Sequence, residues 1–210
     1  SEIRMLSVSP NTQTITFAPI NKTFLDPNFV PNATSSAGLQ ISYYTSSNTA
    51  VATVLNSTSI RIVGVGTSTI TAFQLGTSVH QAANAGTTLT VAKANQAIFL
   101  SSTSSRSFNT PDYDPLGIAS SNLALTYTSS NTAVASIIAN KIHINGVGTT
   151  TITASQLGDG NYNAAPNVTQ TLTITKANQT ITFPDLASRP LGIPDFNPGA
   201  TTSSGLAPVY

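Results

Sequence analysis

The phrase YTSSNTAVA occupies residues 44–52 and returns, letter for letter, at 127–135. The two copies lie 83 positions apart, and the same interval governs other landmarks. Tyr44, Tyr127 and Tyr210 follow at equal steps, and KANQ at 93–96 returns at 176–179. GVGT at 64–67 returns at 146–149, and QLG at 74–76 returns at 156–158, each 82 on, so one residue is lost inside the unit. PDYDP at 111–115 is echoed by PDFNP at 194–198. A chain with self-similarity at a fixed period folds as a series of like units.

The unit is built from strands. Apolar and hydroxyl residues alternate in Thr14-Ile15-Thr16-Phe17, Thr151-Ile152-Thr153-Ala154, Thr171-Leu172-Thr173-Ile174 and Thr180-Ile181-Thr182-Phe183. Period-two alternation gives each strand one core face and one wet face, and the β-branch of Thr suits the pleated backbone on the wet side. Helical periodicity is absent. Gly64, Gly66, Gly76 and their counterparts Gly146, Gly148 and Gly158 punctuate the strands as turn residues. Many short strands in a unit of this length predict a sandwich of roughly seven strands, with Ile15, Phe17, Ile70 and Ile152 in its core.

Composition narrows the function classes. Charged residues are 7% of the chain and the net charge is +1, against roughly 25% charged in ordinary soluble domains. A neutral surface with no basic stripe carries no nucleic-acid footprint, and no apolar run reaches the length of a membrane span. There is no cysteine, so disulfides, thiolate metal sites and cysteine nucleophiles are excluded together. A polar surface made mostly of Thr, Ser and Asn on β-rich sequence points to an exported protein.

The three phrases SSNTAVATV, GVGTSTITA and TTLTVAK, in that order, resemble the bacterial immunoglobulin-like repeats of the group-2 "Big" type. That family's pattern is SSN-x-x-VA-x-V, then G-x-GT-x-x-ITA, then an alternating closing strand. The chain carries all three, and carries them twice, the first two at Ser46–Val54 with Gly64–Ala72 and at Ser129–Ile137 with Gly146–Ala154. It departs from the family in having Tyr44 and Tyr127 where Trp is common. The resemblance implies an all-β fold of tandem immunoglobulin-like sandwiches in a linear array. It also implies the company of bacterial surface adhesins and phage structural proteins.

The expected division is residues 1–10 as the closing strand of an upstream repeat, 11–94 and 95–177 as two repeats, and 178–210 as the opening part of a third. Leu6-Ser7-Val8-Ser9 aligns one period ahead of Leu89-Thr90-Val91-Ala92. In the third unit Ile181, Phe183 and Phe196 lack the strands that cover such residues elsewhere. The remainder of the unit in a longer chain is the preferred cover; a donated strand such as Leu6–Val8 is the alternative. The joints AKANQ and TKANQ contain neither Gly nor Pro, so they read as restricted rather than flexible.

No residue set announces catalysis or metal binding. His80 stands where the next repeat has Tyr162, and His143 where the preceding one has Arg61, so neither histidine recurs. Asp112, Asp114 and Asp159 are the only acids placed to suggest calcium, which takes six to eight oxygens; turns beside Pro111 and Pro115 are the simpler reading. Arg106 and Arg189 share a repeat position near that of Lys22, as solvated strand residues or neighbour-facing contacts. Lys93 and Lys176 sit at the joints without the acid an intramolecular amide crosslink needs. Sequons at Asn21, Asn32, Asn56, Asn167 and Asn178 are as many as composition gives by chance, and they permit glycosylation. Tyr113 and Tyr162 offer rings for sugar stacking or loop anchoring.

These readings converge on a non-enzymatic extracellular structural protein, a stalk or fibre of a surface adhesin, with no cofactor. Its expected partners are neighbouring repeats, with copies of itself or a cell-surface glycan as further candidates. A virion or filament subunit and a carbohydrate-binding module are the alternatives.

Overall fold

The computed structural model describes residues 9–101 and 105–209. Leu6–Val8, on which the upstream closing strand rests, and Tyr210 lie outside the described residues. Among the described residues there is no helix, and no helix long and apolar enough to cross a membrane.

The first repeat contains eight strands: β1 (Ile15–Thr16), β2 (Ile20–Thr23), β3 (Thr34–Ser35), β4 (Tyr43–Ser46), β5 (Ala52–Leu55), β6 (Ser59–Ile62), β7 (Gly66–Gln74) and β8 (Ala83–Ala92). The second repeats the series as β9 (Ile98–Phe99), β10 (Ser105–Ser107), β11 (Ile118–Ala119), β12 (Thr126–Ser129), β13 (Ala135–Ile138), β14 (Lys141–Ile144), β15 (Gly148–Ser155) and β16 (Val168–Thr175). A last pair, β17 (Ile181–Thr182) and β18 (Thr201–Thr202), corresponds to β1 and β3. Against the roughly seven strands expected, the first repeat has eight, of which β1 and β3 are two-residue pieces.

The fold is all-β and immunoglobulin-like. Its main sheet runs β2-β8-β7-β4, and the second copy runs β10-β16-β15-β12. The long strands β7 and β8 pair antiparallel from Gly66↔Val91 to Gln74↔Ala83. The opening strand β2 lies parallel to the closing strand β8, with Ile20 opposite Leu89 and Thr23 opposite Ala92. Strand β10 meets β16 in the same parallel sense and register, Ser105 opposite Thr173. Smaller pairs, β1-β3 and β5-β6, supply the facing layer.

The chain forms two compact units. One gathers residues up to Phe99 with 117–126 and 155–168; the other gathers 100–116, 127–154 and Thr169 onward. In the first, Tyr44, Val51, Ile60, Ile70, Leu89 and Val91 form the core. Ser68, Ile70, Ala72 and Gln74 point inward from β7 while Thr67, Thr69, Thr71 and Phe73 do not, as alternation demands. Full burial of Ile70 and Leu89 stabilises by roughly 1.5–3 kcal/mol each. In the second, Ile142, Ile152, Leu172 and Ile174 occupy matching positions and are buried. Of the four expected core residues, Ile70 and Ile152 are buried, whereas Ile15 and Phe17 are half-buried at the edge of the core. A two-residue strand opposite them covers too little area to close over both. Ile181, Phe183 and Phe196 are 65%, 53% and 42% exposed.

Candidate functional site

The repeated phrase SSN is a structural clasp. Ser46 and Ser68 hydroxyls meet at 2.8 Å, the Asn48 N–H donates to Ser68 Oγ at 3.0 Å, and the Thr69 N–H donates to Ser47 Oγ at 2.9 Å. The Asn48 side chain closes the turn by accepting from the Ala50 N–H at 3.1 Å. In the second copy Ser129 meets Thr150 at 2.7 Å, the Asn131 N–H donates to Thr150 Oγ1 at 2.9 Å, and Asn131 Oδ1 accepts from the Ala133 N–H at 3.1 Å. Three small polar side chains thus pin the end of β4 or β12 to the central strand, and their letters recur because their bonds do.

The titratable candidates do not assemble. His143 Nδ1 lies 2.7 Å from Asp112 Oδ1 on a half-exposed surface. The Asp114 carboxylate accepts from the Leu116 N–H at 2.7 Å, and Asp159 Oδ1 accepts from the N–H groups of Asn161 and Tyr162, both at 2.8 Å. These are turn-closing bonds. Among the described residues no three His, Cys, Asp or Glu come together as a metal site. His80 sits in the loop after β7, its Nδ1 buried without a hydrogen-bond partner among the described residues. All five sequon asparagines are exposed.

Each shared basic position carries a cation over a ring seven residues later. Lys22 Nζ is 4.5 Å from the Phe29 centroid, Arg106 is 4.8 Å from that of Tyr113, and Arg189 is 3.9 Å from that of Phe196. Such pairs contribute about 0.5–1 kcal/mol at exposed sites. They rule out fully solvated cations there, and they occupy one face of Tyr113. Burial raises the Tyr113 hydroxyl above the ordinary tyrosine value, with Arg106 pulling it back. An aromatic pair that the sequence reading missed is Tyr43 and Phe73, stacked at 4.6 Å as cross-strand partners.

The richest polar constellation surrounds Gln96, which is 6% exposed. Its Nε2 donates to Gln156 Oε1 at 2.6 Å and to the Asn163 carbonyl at 2.8 Å, and its Oε1 accepts from the Ser121 hydroxyl. Gln13 makes the same set one period earlier, donating to Gln74 Oε1 at 2.6 Å and to the Gln81 carbonyl at 2.5 Å, and accepting from Ser35 at 2.5 Å. Gln13 and Gln96, at one repeat position, are therefore each bonded to the glutamine of a QLG phrase.

Around Gln96 the turn Gly158–Asn163 is seated against Phe24, Val65 and Lys93, all within the first unit. The Tyr162 ring meets Phe24 edge-on at 5.5 Å, Asn161 Oδ1 accepts from the Val65 N–H at 3.1 Å, and Lys93 Nζ donates to the Asp159 carbonyl at 2.5 Å. Ala94 is laddered to the turn, its N–H donating to the Asn161 carbonyl and its carbonyl accepting from the Asn163 N–H, both at 2.9 Å. Gly158 has φ +77°, and a Cβ there would strike the Tyr162 carbonyl, so this turn requires glycine. Lys93 is thus a hydrogen-bond donor, and Tyr162 is a loop anchor.

No family model matches the chain, and no curated protein sequence matches it. Among solved structures it is similar to Drosophila N-cadherin EC1-4, at 14% identity over 80% of this chain and 50% of that one, TM-score 0.38. It is also similar to Sidekick-1 immunoglobulin domains 1-5, at 11% identity over 82% and 40%, TM-score 0.35. The surface layer protein SbsC, domains 1-6, is similar at 15% identity over 81% and 29%, TM-score 0.34. The chain spans half or less of the length of each.

Proposed function

We propose that this chain is a load-bearing stretch of a non-enzymatic extracellular stalk, made of tandem immunoglobulin-like repeats at 11–94 and 95–177 with the opening part of a third at 178–210. The observation that carries this reading is the parallel pairing of β2 with β8, repeated by β10 with β16. In a tandem chain tension enters a repeat near its opening strand and leaves by its closing strand. Two parallel terminal strands pulled from opposite ends slide along each other, so the hydrogen bonds between them share the load. An antiparallel terminal pair would open one bond at a time.

The joints support the same reading. Ala92 ends the closing strand β8 and Ile98 begins β9, the first strand of the next repeat. Between them Ala94 is laddered and Gln96 is buried, so little slack chain separates one repeat from the next. At ~3.3 Å per strand residue each repeat adds roughly 40 Å of reach.

Stretching single molecules of the full chain by its ends tests the proposal. Unfolding in discrete events, each releasing about 270–300 Å of chain for an 83-residue repeat, is expected. Smooth extension without force peaks would contradict a load-bearing role.

A further inference from the structure

We infer that the face of the second unit made by Phe108, Val147 and Lys176 is a docking site for a Gly-Asp-Gly-Asn-Tyr turn presented by another unit of this repeat. The inference rests on the tandem-repeat reading and adds to it the chemistry by which one repeat holds the next.

The occupied form of this site is present in the first unit. Phe24 receives the Tyr162 ring, the Val65 N–H receives Asn161 Oδ1, and Lys93 receives the Asp159 carbonyl. Each receiving residue has a counterpart in the second unit. The Phe108 N–H donates to the Thr175 carbonyl at 2.8 Å as the Phe24 N–H donates to that of Ala92 at 2.9 Å, so the two rings stand at the same point of the parallel pair. Val147 lies between Gly146 and Gly148 as Val65 lies between Gly64 and Gly66, and Lys176 follows β16 as Lys93 follows β8.

The two faces differ in cover. Gly64 is buried and Gly146 half-buried; Val65 is half-buried and Val147 is 49% exposed. In the first unit a Cβ on Gly64 would lie 3.7 Å from Asn161 Oδ1; at Gly146 the near contacts are to Ala133 alone. The face on the second unit has the receiving groups of the first without the turn.

What fits is set by those groups: an aromatic edge for Phe108, an amide oxygen for the Val147 N–H, and a main-chain carbonyl for Lys176. Gly158–Tyr162 supplies all three. The corresponding turn after β7 does not, because Val79 and His80 stand where Asn161 and Tyr162 stand in the second repeat. Docking therefore distinguishes turns of the Asn-Tyr kind from those of the Val-His kind.

The test extends the full chain after Tyr210 by a second copy of residues 128–177, which gives the third repeat its own Gly-Asp-Gly-Asn-Tyr turn. A companion extension carries Asn161→Val and Tyr162→His in the copied segment only. Amide hydrogen exchange is read at Val147 in the original chain and in both extensions. The Val147 amide is expected to exchange about tenfold more slowly in the first extension, and to return to its original rate in the companion. Equal Val147 rates in all three chains, with the copied Ile152 amide protected, would overturn the docking site and leave the tandem-repeat reading standing. An extension in which the copied Ile152 amide is unprotected would contradict the repeat reading itself. In the original chain Asn161→Val must speed exchange at Val65 without affecting Val147; unchanged exchange at Val65 would also overturn the inference.

Discussion

Gln96, buried, donates to the half-buried Gln156 across 60 residues of sequence, 2.6 Å from nitrogen to oxygen. The bond ties the start of the second repeat to the end of its long central strand. Gln156 Oε1 also accepts from the Gly158 N–H, so one oxygen fixes both the joint and the turn. Replacing Gln96 with Met keeps the volume and removes every bond. It takes the side-chain donor from the Asn163 carbonyl and the side-chain acceptor from the Ser121 O–H, at a cost of about 1–3 kcal/mol. The equivalent change at Gln179, an exposed position, is expected to stay within about 0.5 kcal/mol. Urea unfolding of the two variants checks the difference; equal midpoints would show that the buried glutamine contributes nothing.

Ile152 is 3% exposed, on the inward face of β15. Ile152→Ala is expected to cost about 2–5 kcal/mol, and Ile70→Ala a similar amount in the first repeat. A loss below about 0.5 kcal/mol at either position, measured by denaturant midpoint, would be that of a surface site and incompatible with the register described.

The hairpin between β13 and β14 turns on two residues with positive φ, Ala139 and Asn140 at 48° and 63°, while the loop between β5 and β6 has one residue more and opens on Asn56 and Ser57 at 48° and 64°. The β13–β14 connection is the two-residue turn that follows the twist of the strands. Alanine is the poorer of its two residues for that geometry. Ala139→Gly is therefore expected to raise stability, by about 1 kcal/mol after the entropy of glycine is set against the strain it removes. A lowered melting temperature would contradict that turn geometry.

Tyr44 is 5% exposed and its hydroxyl donates to the Pro31 carbonyl at 3.0 Å. Burial raises its pKa above the usual 10.0, more than the opposing backbone contact at Ala33 lowers it. The unfolded chain therefore releases this proton at lower pH than the folded one. The stability contributed by neutral Tyr44 is fully present below pH 10 and is lost as pH rises through the folded value. Tyr44→Phe should flatten the fall in stability above pH 10 and leave its slope at pH 7 unchanged. An identical alkaline profile would place the ionisation elsewhere.

The strands that carry the fold were legible because they are long enough to show a period. The alternation of Thr151-Ile152-Thr153-Ala154 places Ile152 in the core by itself. Ile15 and Phe17 alternate just as cleanly, yet they are half-buried, since burial there depends on how much strand lies opposite. Gln96 was not legible as a buried residue. Its neighbours Lys93 and Asn95 are polar and the phrase reads as surface, while its partner Gln156 is named only by three-dimensional pairing. The signal available was the recurrence of Gln at 13, 96 and 179 and at 74 and 156. The basic positions were aligned correctly at 106 and 189, but the rings seven residues on, Tyr113 and Phe196, become their partners only when the chain folds back.

The mechanical clamp can be tested one hydrogen bond at a time. The Phe24 N–H donates to the Ala92 carbonyl at 2.9 Å. Alternation along β2 turns the Lys22 N–H toward β8 as well and the Asn21 N–H away from it. Proline removes a ladder bond at the first position and is tolerated at the second, on the open side of an edge strand. The decisive measurement is the unfolding force of the first repeat in the full chain for Lys22→Pro, for Asn21→Pro, and for a core variant such as Ile60→Val. The forces are compared after stability has been matched by temperature. A force that drops for Lys22→Pro and stays near the original for the other two supports a load-bearing parallel pair. Equal forces in all three would show that β2 and β8 do not carry the load, and the stalk reading would lose its physical basis.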